Sequence, residues 1–122
     1  MHESERLLIV VMELLQGGSL RQLLRSRAHN NEIFSENEVA QIMKQLLSGI
    51  HFIHSNNIMH RDIKPENILF KSKNNFSSLK IADFGLAIKM EENEEIYHHN
   101  QDGTYMFMSP EQIQGKNINK VN

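Results

Sequence analysis

Eight consecutive residues, His60-Arg61-Asp62-Ile63-Lys64-Pro65-Glu66-Asn67, hold the densest set of groups able to do chemistry in this chain. A carboxylate such as that of Asp62 can orient a hydroxyl and take its proton. A cation two positions on, Lys64, can answer negative charge that builds up nearby. The carboxamide of Asn67 and the carboxylate of Asp83, which lies 21 positions after Asp62 (83 minus 62), are oxygen donors of the kind a hard divalent ion favours. Taken singly, each also has a plain turn role, since Asp and Asn commonly cap or close turns. Other groups have duller readings. His51 and His54 stand at i, i+3 spacing without an acidic or cysteine partner nearby, and His98-His99 is no better placed to bind metal. The methionines at 43, 59, 90, 106 and 108 read as gap-filling core or loop residues.

Segments on either side must position these groups. The unbroken apolar run at 7–12 predicts a strand buried on both faces, ended by Gln16-Gly17-Gly18. Ser19 and Gln22 have capping-box spacing and open a short helix with Leu20, Leu23 and Leu24 on one face, giving out near His29-Asn30-Asn31. Ser35 and Glu38 form a second capping box, with Phe34 able to staple against Val39. From there Val39, Ile42, Met43, Leu46, Leu47, Ile50 and Ile53 keep a helical period, leaving Gln41, Lys44, Gln45 and Ser48 outside. Asn56-Asn57 breaks this long amphipathic helix, and the apolar runs 68–70 and 79–82 predict a hairpin with a polar connection. Beyond Gly85 the pattern dissolves into what reads as a long loop, which at this length is usually functional or disordered.

A chain of 122 residues with 39% hydrophobic and 23% charged residues falls in the globular range rather than the disordered one. Its net charge of -2 offers no basic field for nucleic acid and no polybasic cluster for a membrane surface. Without cysteine it has no disulfide framework, and its first residues lack the order of a signal peptide, so the expected location is cytoplasmic or nuclear.

The eight-residue stretch is followed in order by Asp83-Phe84-Gly85, at the end of a predicted strand, and by Ser109-Pro110-Glu111. Together they resemble the catalytic loop, metal-binding motif and Ala-Pro-Glu closure of eukaryotic protein kinases of the serine/threonine type. The resemblance covers nearly the whole chain. It implies an α+β, protein kinase-like fold, mainly the helical lower lobe, with short β-hairpins around the catalytic loop. It also implies one partial kinase domain over 1–122, with a hinge at about 12–18, a catalytic loop at 60–67 and an activation segment at 83–111. The implied activity is ATP- and Mg2+-dependent phosphoryl transfer to serine or threonine hydroxyls of a protein substrate. Asp62, Lys64 and Thr104 would be catalytic, and Asn67 and Asp83 would hold the metal. Residues 11–15 resemble the fifth strand entering the hinge, with Met12 as gatekeeper, the Glu13 carbonyl and Leu15 amide at the adenine edge, and Leu69 as the pocket floor. Lys64 and Thr104 are similar to the serine/threonine class rather than the tyrosine class. His60 and Phe84 resemble members of an internal stack shared with an upper lobe. Gly103-Thr104-Tyr105 departs from the commoner Gly-Thr-Pro, so no peptide preference is carried over.

Arg61 beside the catalytic aspartate resembles the arginine that holds an activation-loop phosphate. Between Leu86 and Gly103, however, there is no serine or threonine, Tyr97 is the only hydroxyl, and Asn100 stands four before Thr104. Either Glu91, Glu92, Glu94, Glu95 or Asp102 substitutes for the phosphate, or the run is a solvated loop. The loop is favoured, because carboxylates carry less charge and fewer acceptors. No glycine-rich loop, strand lysine or helical glutamate precedes Leu7, and eleven residues follow Glu111 (122 minus 111). The expectation is therefore a fragment or truncated gene model, poorly folded and inactive alone. Noncatalytic alternatives are a pseudokinase or scaffold, or a small binding module. Oligomeric state is left open.

Overall fold

Two capping boxes decide where the helices start. Ser19 accepts from the Gln22 amide while the Gln22 side chain accepts from the Ser19 amide, and α1 runs Leu20–His29 behind them. Ser35 and Glu38 exchange the same pair of bonds at the head of α2, Glu36–Ser55, whose first-turn Glu36 and Glu38 also suit the positive end of the helix. One cation ties the two helices together: Arg27 reaches Glu38 at 2.7 Å and Glu32 at 3.3 Å, with its guanidinium 4.7 Å from the centre of the Phe34 ring. The computed structural model describes residues 9–90 and 104–114.

Strands β2 (Ile68–Phe70) and β3 (Leu79–Ile81) pair antiparallel, with Ile68 opposite Ile81 and Phe70 opposite Leu79. Their period-two alternation sends Ile68 and Phe70 inward against Ile42 of α2, while Leu69 faces the other way. Leu20, Leu23, Phe34, Leu46, Phe76 and Ile81 close the rim of this small core. The hairpin and both helices are those expected from the sequence. Of the periodic residues in α2 only Ile42 and Ile53 are buried, and Val39, Met43 and Leu47 stand exposed.

Two expectations are corrected. The apolar run at 7–12 forms no strand over its described residues, and Ile9, Val10, Val11 and Met12 are 64–92% exposed. A strand needs a neighbour for its N–H and C=O groups, and none stands beside this run among the described residues. Leu7 and Leu8 lie outside them. The segment after Gly85, read as loop throughout, contains β4 (Ile88–Lys89), which pairs antiparallel with β1 (Ile58–Met59). Met59, Met90 and Ile88 pack beneath that ladder as a second small cluster. A two-residue strand is too short to write a period into sequence. The segment ends in a single helical turn, α3 (Pro110–Ile113), capped by Ser109 with proline in its first turn. The acidic run at 91–95, Tyr97, His98-His99, Asn100, Asp102, Gly103 and the Glu111 side chain fall outside the described residues. Among the described residues no helix is long and apolar enough to cross a membrane.

Main-chain bonds join the segment before α1 to the hairpin. Gly17 N donates to Phe70 O at 2.9 Å, and Phe70 N donates to Gly18 O at 2.9 Å. A side chain at position 17 has no room, since a Cβ there would sit 2.6 Å from the Phe70 carbonyl oxygen.

Candidate active site

The loop between β1 and β2 is held from below by a buried imidazole. His60 is 3% exposed, and its Nδ1 accepts from the Asp62 amide at 3.2 Å. That leaves the proton on Nε2, which donates to the Ala82 carbonyl at 2.9 Å. The ring also meets Phe84 edge-on at 4.9 Å. His60 therefore pins the loop carrying Asp62 to the strand end carrying Asp83. Arg61 and Asp83 both adopt positive φ, 67° and 62°, in the left-handed region that non-glycine residues seldom occupy. Such strain clusters where geometry is dictated by function. Arg61 Nε donates to Leu86 O at 2.6 Å, tying the loop to the segment beyond Gly85.

Asp62 is the centre of a charge-assisted network. Lys64 Nζ lies 2.7 Å from its Oδ2, and Asn67 Nδ2 donates to the same oxygen at 3.2 Å and to the Asp62 carbonyl at 2.9 Å. Thr104 donates to Oδ1 twice, from its amide at 3.1 Å and its hydroxyl at 3.0 Å, while that hydroxyl accepts from Lys64 Nζ at 2.6 Å. Burial pushes the Asp62 pKa up, but the bonds from Lys64 and Thr104 outweigh it and hold the carboxyl below the ordinary aspartate range. Four of the residues singled out in the sequence, Asp62, Lys64, Asn67 and Thr104, thus converge, although Thr104 is separated from Asp62 by 42 positions.

Asp83 stands beside this cluster rather than in it. The Ala82 amide donates to Asn67 O at 2.8 Å, which ties the residue before Asp83 to Asn67, and the Asp83 carboxylate accepts from Gly85 N at 3.1 Å. Among the described residues no hydrogen bond joins its carboxylate to Asp62, Lys64 or Asn67. The adenine-edge residues are less assembled. Met12 is 76% exposed, and the Glu13 carboxylate reaches Lys71 at 3.2 Å and Lys80 at 3.9 Å. Leu15 lines a 570 Å³ cavity with Gly17, Leu23, Phe70 and Phe76, to which Met12, Glu13 and Leu69 do not contribute. Leu69 is half-buried on the hairpin face it shares with its cross-strand partner Lys80.

The family model for the protein kinase domain matches residues 1–121. This chain belongs to the protein kinase family. Calcium-dependent protein kinase 6 of Plasmodium berghei (strain Anka) is 43% identical to it over 115 residues, covering 94% of this chain and 7% of that protein. Serine/threonine-protein kinase 33 of Bos taurus is 39% identical over 117 residues, covering 91% of this chain and 23% of that protein. The kinase chain therefore spans less than a quarter of either relative. Its helices and small antiparallel sheets are the α+β fold of the family.

Kinases of this family use ATP and Mg2+, and the donors present suit that ion. Both Asn67 N–H bonds go to Asp62, which leaves the Asn67 Oδ1 available, and Asp83, one residue beyond the Ala82 amide that bonds to Asn67 O, is exposed with an oxygen not bonded to Gly85. A carboxamide oxygen and a carboxylate oxygen match the way Mg2+ binds, with phosphates and water completing its shell. Sequence reasoning missed one participant at the rim. Arg21, on the first turn of α1, forms an ion pair with Glu66, and nothing in its local pattern signals a partner 45 positions away.

Proposed function

We propose that this kinase chain supplies the catalytic loop and the lower wall of the nucleotide site of a serine/threonine protein kinase, over the hinge, loop and activation-segment boundaries given above. The observation that carries the reading is the buried Asp62 carboxylate, fixed at both oxygens by Lys64, Thr104 and Asn67. Phosphoryl transfer requires little covalent help and much positioning. Asp62 would orient the acceptor hydroxyl. As the hydroxyl oxygen bonds to the terminal phosphorus and the bond to ADP breaks, the hydroxyl proton passes to Asp62. A carboxylate with a lowered pKa is a weak base, so this proton moves late, when the hydroxyl has become acidic. Lys64 offsets charge on the transferring group. Asn67 and Asp83 would hold Mg2+, which would supply neutralisation of the phosphate charge. Met12, the Glu13 carbonyl, the Leu15 amide and Leu69 would meet the adenine.

Preference for serine and threonine is supported by the Lys64–Thr104 bond and by the likeness to serine/threonine-protein kinase 33 of Bos taurus. A composition free of cysteine suits a reducing compartment, which makes cytoplasm or nucleus the proposed location. The test uses the full-length protein that carries this chain, with labelled ATP, Mg2+ and a protein acceptor. Asp62→Asn is expected to lower kcat by about 10²- to 10⁴-fold with nucleotide binding retained. Equal phosphate transfer by wild type and variant would overturn the assignment, and ATP binding without transfer by wild type would point instead to a noncatalytic scaffold.

A further inference from the structure

Arg21 occupies a place that its own helix does not favour. It lies in the first turn of α1, where the exposed backbone N–H groups give a partial positive charge and acidic residues are preferred, yet this turn contains none. Its counter-charge comes from outside the helix. Glu66, in the 3₁₀ turn Pro65–Asn67, pairs with the Arg21 guanidinium through Oε1, while its Oε2 is buried and finds no hydrogen-bond partner among the described residues. The pair is partly open to solvent, with Arg21 at 47% and Glu66 at 29% side-chain exposure. The buried oxygen leaves the acid one favourable contact short.

Glu66 follows Asp62 by four residues, so the two lie at most about 14 Å apart along the chain, the reach of roughly four extended residues. A protein substrate that presents a hydroxyl to Asp62 extends several residues to either side of it, which brings Glu66 and its partner Arg21 within reach of residues close to the acceptor. A bare glutamate there would attract a lysine or arginine of the substrate. Here the carboxylate is already neutralised, and the group left open to solvent is a guanidinium.

We propose that Arg21 is a specificity-determining residue: it masks Glu66 from within the chain, so that the enzyme does not select a basic residue beside the acceptor hydroxyl. This rests on the kinase reading above. The mask belongs to α1, outside the catalytic loop, and is separable from the chemistry at Asp62.

The experiment uses the full-length enzyme and a set of serine peptides in which one arginine, or one glutamate, is walked through the positions flanking the acceptor. Wild type is expected to show no more than about a twofold gain in kcat/KM from arginine at any position. Arg21→Ala should create a gain of about five- to tenfold for arginine at one position, the size expected of a partly exposed charge-assisted contact. Adding Glu66→Gln to Arg21→Ala should remove that gain, while the reference peptide is phosphorylated by all three enzymes. A wild-type preference for arginine that Glu66→Gln alone abolishes would overturn the proposal, as would an Arg21→Ala profile identical to wild type. Failure of every enzyme to phosphorylate any peptide would instead overturn the kinase reading, and this inference with it.

Discussion

Thr104 is the most revealing position to perturb, because one hydroxyl both donates to Asp62 at 3.0 Å and accepts from Lys64 at 2.6 Å. Thr104→Ala deletes those two bonds and leaves the backbone bond from residue 104 to Asp62, at 3.1 Å, in place. The direct contact between Lys64 and Asp62 at 2.7 Å also survives, so the loss is less than two full charge-assisted bonds. One such bond is worth about 1.5–3 kcal/mol, which corresponds to a fall of about 10- to 150-fold in kcat/KM. Thr104→Ser keeps the hydroxyl and should fall only about two- to threefold, chiefly from the extra freedom of a side chain lacking the branching methyl. The assay is steady-state transfer to a peptide substrate by the full-length enzyme, with kcat and KM for ATP determined separately. Since Thr104 touches Asp62 and Lys64 and none of the residues proposed to meet the adenine, the loss should appear in kcat. Equal activity of the alanine and serine variants, or a loss confined to the KM for ATP, would refute the argument that this hydroxyl organises Asp62.

The remaining predictions concern pH and packing. Because the Asp62 pKa is lowered in the fold, its contribution to stability is complete above the unfolded aspartate value of about 3.9 and is lost as pH falls through the folded value. A profile of kcat/KM against pH should therefore show no acidic limb from Asp62 above about pH 4, and Thr104→Ala, which removes a lowering contact, should move that ionisation upward. Gly17→Ala would place a Cβ 2.6 Å from the carbonyl oxygens of both Phe70 and Ser72, and main chain cannot yield as a side chain does. A loss of about 1–3 kcal/mol is expected in urea unfolding of the full-length protein, and an unchanged midpoint would mean that the junction of residues 16–18 with the hairpin is looser than its bonds suggest.

Much of the fold was legible because its signals are local. Ser19 with Gln22 and Ser35 with Glu38 declare both helix starts within four residues, and both boxes form with their reciprocal bonds. The hairpin was legible because 68–70 and 79–81 are apolar runs bounded by polar residues. Pairings whose partner lies far away were not legible. Strand β4 takes its identity from Ile58 and Met59, some 30 residues earlier, and two residues cannot carry a period. The run at 7–12 failed in the opposite sense, since its composition describes a strand and its described residues 9–12 have no neighbouring strand among the described residues.

The same distinction separates the parts of the site. Asp62, Lys64 and Asn67 fall within six positions, so loop geometry alone brings them close, and their types can be read as chemistry from the sequence. Thr104 could be named only through family likeness, because 42 positions separate it from Asp62 and nothing local requires the contact. Arg21 had neither a local signal nor a motif to announce it, and what exposes it is an electrostatic mismatch, a cation in the first turn of a helix. Among the described residues that mismatch is answered by Glu66, four positions after Asp62. A charge that runs against its own helix and is matched from the loop carrying Asp62 is coupled to that loop, so on the proposed function substitution at either end should be felt by a substrate before it is felt by the fold.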